Sequence, residues 1–297
     1  MSRKMERNDQ LEDWIFHYQH LNKVRRTKKQ KQRFLATLVT DIAKLREDIQ
    51  VIEYQQKKQY ISSNVYVGNI ETADRIICTY YDTPLRSFGS YQLFDRTKQR
   101  QATIRFIVVS LFLFLLLGLV ATVFYMNRMT GMFHLGKPST WAAILCYGLY
   151  FFLFSKLAKG LSNRKNTIRN TSSILALLML IASHKNSKTA FAFLDEGCFG
   201  DQGLNLLKET CRSAAQIYYL DCVGSQEELH FISQRITEKA AQSFIIHQDS
   251  DSKISYIFGA KVSETEQGER YFLEKATLNQ KEIDRNKLKQ IKDFFTN

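Results

Sequence analysis

Two prolines and 13 glycines in 297 residues are too few for a collagen-like repeat or a proline-rich linker. No period of 20–50 residues stands out, which excludes solenoids and propellers. Cysteine is sparse and unpatterned: five residues, at 78, 146, 198, 211 and 222, without a CxxC pair. Such usage fits free thiols in a reducing compartment rather than a disulfide scaffold. Acidic residues are also short, 29 Asp+Glu against 42 Lys+Arg, leaving a formal charge of +13. With 44% hydrophobic residues the chain is too apolar for a disordered tail, and its length suits one large domain or two small ones.

The apolar residues are unevenly spread. Phe106 to Met126 reads FIVVSLFLFLLLGLVATVFYM without a charge, close to the roughly 20 residues that cross a bilayer core. Trp141 to Leu157, WAAILCYGLYFFLFSKL, is shorter and carries Lys156 near its end, where a long side chain can snorkel to the headgroups. Both are expected to span a membrane; a buried helix is the competing reading of the second. Their mid-chain position is not that of a signal peptide. Arg96, Lys98, Arg100 and Arg105 precede the first span and Lys156, Lys159, Arg164, Lys165 and Arg169 flank the second, whereas residues 127–140 hold only Arg128 and Lys137. Positive charge marks the cytoplasmic side. The expected arrangement is a multi-pass protein of the cell membrane: residues 1–103 and 159–297 form one cytoplasmic body, interrupted by a hairpin at 104–158.

Lys23 to Arg33, KVRRTKKQKQR, adds a basic cluster suited to an anionic leaflet. A solvated, membrane-facing helix is the expectation here. No nucleic-acid module or aromatic-interleaved basic patch accompanies it, so nucleic acid is not an expected partner.

Helical spacing of Leu35, Leu38, Ile42 and Leu45 predicts a helix over 30–46, after another at 11–22. Strand-like runs follow at 49–54, 64–68 and 75–81. Beyond the hairpin, a helix from Ser172 to about His184, capped by Asn170 or Thr171, is too short to span a bilayer. Strands at 189–194, 216–221 and 229–233 and in the runs ISYIFG and RYFL alternate with helices at 202–213 and from Asp284. A 249–253 DSDSK segment reads as a hairpin turn, since it lacks the length and glycine of a calcium loop. The alternation predicts a three-layer α/β domain with a largely parallel or mixed sheet.

Five segments carry a resemblance: Asn64-Val65 leading to Thr79-Tyr80-Tyr81-Asp82-Thr83-Pro84, Arg169-Asn170-Thr171-Ser172-Ser173, Phe191 to Cys198 (FAFLDEGC), Leu220-Asp221-Cys222-Val223-Gly224, and Lys275 to Gln280 (KATLNQ). In order and placement at strand ends they resemble the motifs of zinc-dependent aminopeptidases with two co-catalytic metals, metallopeptidase family twenty-eight. The resemblance covers about residues 30–100 and 160–297, and implies a zinc-exopeptidase-like fold with the hairpin inserted between the first two motifs.

Carried over residue by residue, it implies a site with its chemistry removed. Tyr80 stands where a His ligand belongs and Arg169 where the bridging Asp belongs. Gly197 and Cys198 replace the base and a ligand Glu, unless a register slip brings in Glu196, and Ala276 replaces the last His. Asp221 alone is retained among the ligands, together with Asp82, which orients the His in the family. All six histidines lie away from these positions. A paired zinc site needs imidazoles and carboxylates, so no metal or other cofactor is expected. The degenerate positions Tyr80, Asp82, Arg169, Asp195, Glu196, Asp221 and Ala276 form the candidate site. Arg169 is expected to sit where the metal charge would lie, paired with Asp82, Asp195 or Asp221; a plain juxtamembrane anchor is the competing reading. His17 and His20, three apart, have no second ligand pair, and Cys198, beside acidic residues, reads as a structural thiol.

The expected function is binding: an inactive aminopeptidase-like protein holding a peptide, or a scaffold or regulatory subunit of a membrane assembly, with a membrane-protein partner or a second copy. The alternative is an active membrane-bound zinc aminopeptidase with rewired ligands.

Overall fold

The computed structural model describes residues 2–57, 60–128, 136–184, 188–249, 253–266 and 268–296. The chain divides into two compact units, one built from residues 1–84 and 163–297 and the other from 85–162. The divisions fall outside 103 and 159, because Leu85 bridges to Ser162 at the base of the inserted segment.

The larger unit opens with α1 (Ser2–Ile15), which widens into a looser helical turn at Phe16–Leu21, and α2 (Lys28–Ala43). Three strands follow, β1 (Ile49–Lys57), β2 (Tyr60–Val67) and β3 (Arg75–Tyr80). The smaller unit holds β4 (Tyr91–Gln92), α3 (Arg96–Arg128) and α4 (Pro138–Ala158). The larger unit then resumes with α5 (Ser172–Ser183), β5 (Thr189–Leu194), α6 (Gln202–Thr210), β6 (Gln216–Asp221) and β7 (Leu229–Ser233). It closes with α7 (Glu238–Ser243), β8 (Ile245–Gln248), β9 (Ile254–Gly259), β10 (Lys261–Thr265), β11 (Gly268–Leu273), α8 (Lys275–Leu278) and α9 (Arg285–Thr296).

Eight strands form one mixed sheet in the order β1-β2-β5-β3-β6-β9-β7-β8. Its centre, β5-β3-β6-β9, is parallel, and β2 and β7 join it antiparallel. Alternation along each strand makes two cores. Val65, Ile77, Phe191, Phe193 and Leu220 face α1, α2, α5 and α9. Tyr66, Ile76, Cys78, Tyr80, Ala192 and Tyr219 face Leu204 and Leu207 of α6. The result is the three-layer mixed α/β architecture expected from the sequence. Helix α5 is apolar all round and nearly all its residues are buried, as a helix in the middle of a core must be.

Two local expectations are corrected. Neither Asn170 nor Thr171 caps α5. The chain is already helical through the wide turn Thr167–Thr171, Thr171 has helical backbone angles, and the Asn170 amide donates instead to the Asp82 carbonyl at 2.8 Å. The segment 23–33 is not wholly solvated, since Arg25 and Lys31 are buried. Strand β8 and helix α7 escaped the pattern reading: β8 is four residues long and its alternation is blurred because it sits at a sheet edge. Half of the 127–140 loop (129–135) and most of the 249–253 turn (250–252) lie outside the described residues.

In the smaller unit α3 and α4 are long and apolar enough to cross a membrane. They pair through Tyr150, which stacks on Phe114 with centroids 4.8 Å apart and donates to the Phe114 carbonyl at 3.2 Å. Gly118 makes room for it: a Cβ there would lie 2.5 Å from the phenol. The hydroxyls of Thr122 and Tyr147 meet at 2.7 Å, a polar link between otherwise apolar faces.

Candidate functional site

The carboxyl ends of the parallel strands β5, β3 and β6 lie side by side, the edge where open α/β sheets bind ligands. Tyr80 ends β3 and Tyr81-Asp82 follow; Asp195-Glu196 follow β5; Asp221 ends β6. Arg169 comes from the wide turn before α5. Glu196 and Cys222, each just beyond a strand end, hold φ of 63° and 54°. Non-glycine residues rarely adopt this left-handed conformation, and it persists only where surrounding contacts enforce it.

Two charged networks fill the site. Lys31, reaching in from α2, lies 2.6 and 2.8 Å from the two oxygens of Asp195 and 3.4 Å from Glu196. Glu196 also accepts from Ser62 at 2.7 Å, and Asp195 accepts from the backbone N–H of Glu196 at 2.8 Å. Asn64 secures this strand end, accepting from the Asp195 N–H at 3.1 Å and donating to the Gly203 carbonyl at 2.8 Å. In the second network Arg169 Nε donates to the Tyr80 hydroxyl at 3.0 Å, and Tyr80 donates to Asp221 at 3.1 Å. Arg169 is buried within the site, and where a direct pair with Asp82, Asp195 or Asp221 was expected, its described link to a carboxylate runs through the phenol.

Asp82 is fully buried between the networks. One oxygen accepts from the Cys198 N–H at 3.0 Å, while the other has no hydrogen-bond partner. Burial, reinforced by the charge of Asp195 and opposed by Lys31, pushes the Asp82 carboxyl up to about 7. Burial pulls the Lys31 ammonium down, but Asp195 outweighs it and the group ends above its ordinary value. Arg25 is wholly buried over the Phe34 ring, and burial lowers it to about 10 against the opposing charge of Asp82. The Cys198 thiol donates to the Asp82 carbonyl and is pushed well up by burial, which suits a structural thiol and not a nucleophile.

The side chains do not fit a pair of zinc ions. A guanidinium cannot ligate metal, the Tyr80 phenol is engaged by Arg169 and Asp221, and Lys31 covers Asp195 and Glu196. Gly197 offers no ligand, and a Cβ at this position would lie 2.2 Å from that of Tyr80, so no larger residue fits beside the phenol. Ala276 sits exposed on α8 and has no donor atom to offer. Among the described residues no group of three His, Cys, Asp or Glu could hold a metal ion. His17 is paired with buried Asp41 at 3.1 Å.

No family model and no curated protein matches the sequence. Solved structures do match. The chain is similar to a zinc-dependent exopeptidase from Parabacteroides distasonis, with a TM-score of 0.55 at 10% identity, and to the glutaminyl cyclase of Porphyromonas gingivalis, with 0.53 at 10% identity; each match covers 96% of both chains. The likeness is one of fold. It agrees with the fold implied by the five sequence segments, three of which end the parallel strands β3, β5 and β6 here.

Arg25, Lys31 and Ser62 were missed by sequence reasoning. For Lys31 a signal existed: it lies three residues before Phe34 and seven before Leu38, on the apolar stripe of α2, where a lysine requires a buried partner. Arg25 lies in the connection between helices and follows no periodicity.

Proposed function

We propose that this chain is a membrane-anchored, aminopeptidase-like protein whose site is held together by internal cations and which acts by binding rather than hydrolysis. The observation that carries the reading is the double occupation of the strand-end carboxylates: Lys31 on Asp195 and Glu196, and Arg169 through Tyr80 on Asp221. Metal-site carboxylates left without a counter-charge would be costly to bury, and here protein side chains neutralise them.

The membrane part of the proposal rests on α3 and α4. Helix α3 has 33 residues, about 50 Å at 1.5 Å per residue, so it outruns a bilayer core of about 30 Å and projects its basic first turns beyond it. Basic residues at both outer ends support a larger unit on the cytoplasmic side, facing an anionic leaflet. A bound peptide, a membrane-protein partner or a second copy of the chain is the proposed ligand of the larger unit.

The test uses the full chain purified in mild detergent with zinc supplied during expression. Metal analysis is expected to find no stoichiometric zinc, and amide substrates with free amino termini are expected to remain intact. Two zinc ions per chain together with aminopeptidase turnover would overturn the proposal.

A further inference from the structure

Two strands across the sheet from Asp221, in the cross-strand row Asp221–Phe258–His230, two histidines meet outside the two networks of the candidate site. His230 of β7 and His247 of the edge strand β8 approach with Nδ1 of the first 3.0 Å from Nε2 of the second. Their outer nitrogens are both committed. His230 Nε2 lies 3.0 Å from the Ala260 carbonyl, and His247 Nδ1 lies 2.8 Å from a carboxylate oxygen of Glu269 on β11. Tyr271, also on β11, donates to the same Glu269 oxygen and packs edge-on against His247 with centroids 5.2 Å apart.

Donor and acceptor accounting fixes the protons. A carbonyl can only accept, so His230 carries a proton on Nε2 and, when neutral, presents a lone pair at Nδ1. An ionised carboxylate can only accept, so His247 carries a proton on Nδ1 and, when neutral, presents a lone pair at Nε2. Two neutral rings would therefore aim lone pairs at each other across 3.0 Å. One additional proton turns that repulsion into a charge-assisted N–H···N bond. We propose that His230 and His247 share a single extra proton, and that this imidazole–imidazolium pair is a pH-sensitive clasp tying the edge strand β8 to the β10–β11 hairpin through Glu269.

The surroundings suit such a clasp. His230 is buried and stacked on Phe258, and burial lowers its affinity for a proton, while His247 lies against the Glu269 carboxylate. Hydrogen bonding by Tyr271 and the nearby imidazoles hold the Glu269 carboxyl below its ordinary range. The charged and titratable groups that act on the pair are Glu269 and Tyr271 from β11 and Glu228 just before β7; β9 contributes Phe258, which is uncharged. Among the described residues β8 pairs within the sheet only with β7, so the clasp adds a polar attachment for that edge. The sign follows: the clasp is closed while the pair holds its proton and opens as pH rises through the imidazole range.

Two measurements on the full chain in detergent test this. Nitrogen-15 spectra of the imidazoles near pH 6 should show one ring of the pair protonated at both nitrogens and the other at Nε2 alone; two singly protonated rings would overturn the proposal. Hydrogen exchange, corrected for the intrinsic pH dependence, should show protection of residues 245–248 and 261–272 falling with rising pH, by up to about tenfold per unit for a one-proton step, while α5 peptides stay constant. In His247→Lys, whose ammonium supplies a permanent charge to both partners, this dependence should disappear. Unchanged wild-type protection across the imidazole range, or the same pH dependence in His247→Lys, would overturn the clasp.

Discussion

Replacing Lys31 by methionine keeps most of the side-chain volume and removes the ammonium that neutralises Asp195, which is 1% exposed. Two backbone donors remain, Glu196 N–H at 2.8 Å and Ser63 N–H at 3.4 Å, so the carboxylate is not stripped bare. Breaking one partner of a buried pair costs about 3–5 kcal/mol, and the surviving donors place K31M near the lower end, about 3 kcal/mol at pH 7.5. The double variant K31M/D195N should recover at least half, because a neutral amide oxygen still accepts from Glu196 and no charge is stranded. The loss must also shrink on acidification. Without Lys31, burial raises the folded-state Asp195 pKa further, the folded chain binds a proton that the unfolded chain has released, and K31M gains stability as pH falls below neutrality. Urea unfolding of the full chain in detergent measures this, followed by the fluorescence of Trp14, which lies in the core, in a Trp141→Phe background. A loss under about 1 kcal/mol, or a loss independent of pH, would refute the assignment of Lys31 as the buried counter-charge.

Further outcomes follow from other contacts. With its carboxyl raised to about 7, Asp82 binds a proton in the folded state between the ordinary carboxylate range and neutrality. Stability should therefore fall with rising pH in that window by at most about 1.4 kcal/mol per unit, and Asp82→Asn should flatten the slope; an unchanged slope places the proton elsewhere. Gly197→Ala should destabilise by about 2 kcal/mol or more through its clash with the Tyr80 Cβ and ring, yet cost under about 1 kcal/mol in a Tyr80→Gly background, which removes both, and additive effects would contradict the packing. Cys146 lies within α4. In intact membranes it should resist a water-borne maleimide that labels Cys211, and equal labelling of both would argue against α4 as a span.

Much of the fold was legible because its signals are local. The runs RIICTYY, TAFAFL and QIYYLD are apolar on both faces, as the centre of a covered parallel sheet requires. Helix α5 showed itself by being apolar throughout. The site was legible only where it lies on strand ends. Arg25 and Lys31 sit in a stretch dense with basic residues, and composition alone assigns such a stretch to solvent; burial of two of them follows from carboxylates more than 50 residues away in sequence. The cap misassignment has the same origin, since Asn170 satisfies the Asp82 carbonyl, a partner on the far side of the inserted unit in sequence.

The placement of β3 bears on how the chain is made. Both of its hydrogen-bonding neighbours, β5 and β6, are encoded after the inserted pair of helices. A ribosome that has finished β3 must still synthesise more than a hundred residues, including both apolar helices, before the strand meets a partner. Until then β1 and β2 can form a ribbon, but the centre of the sheet cannot close, and loops of this length slow folding and leave strand edges open to aggregation. Synthesis of α3 and α4 is thereby placed ahead of the folding of the larger unit, and a chain terminated before Thr189 would leave β3 unpaired on both sides.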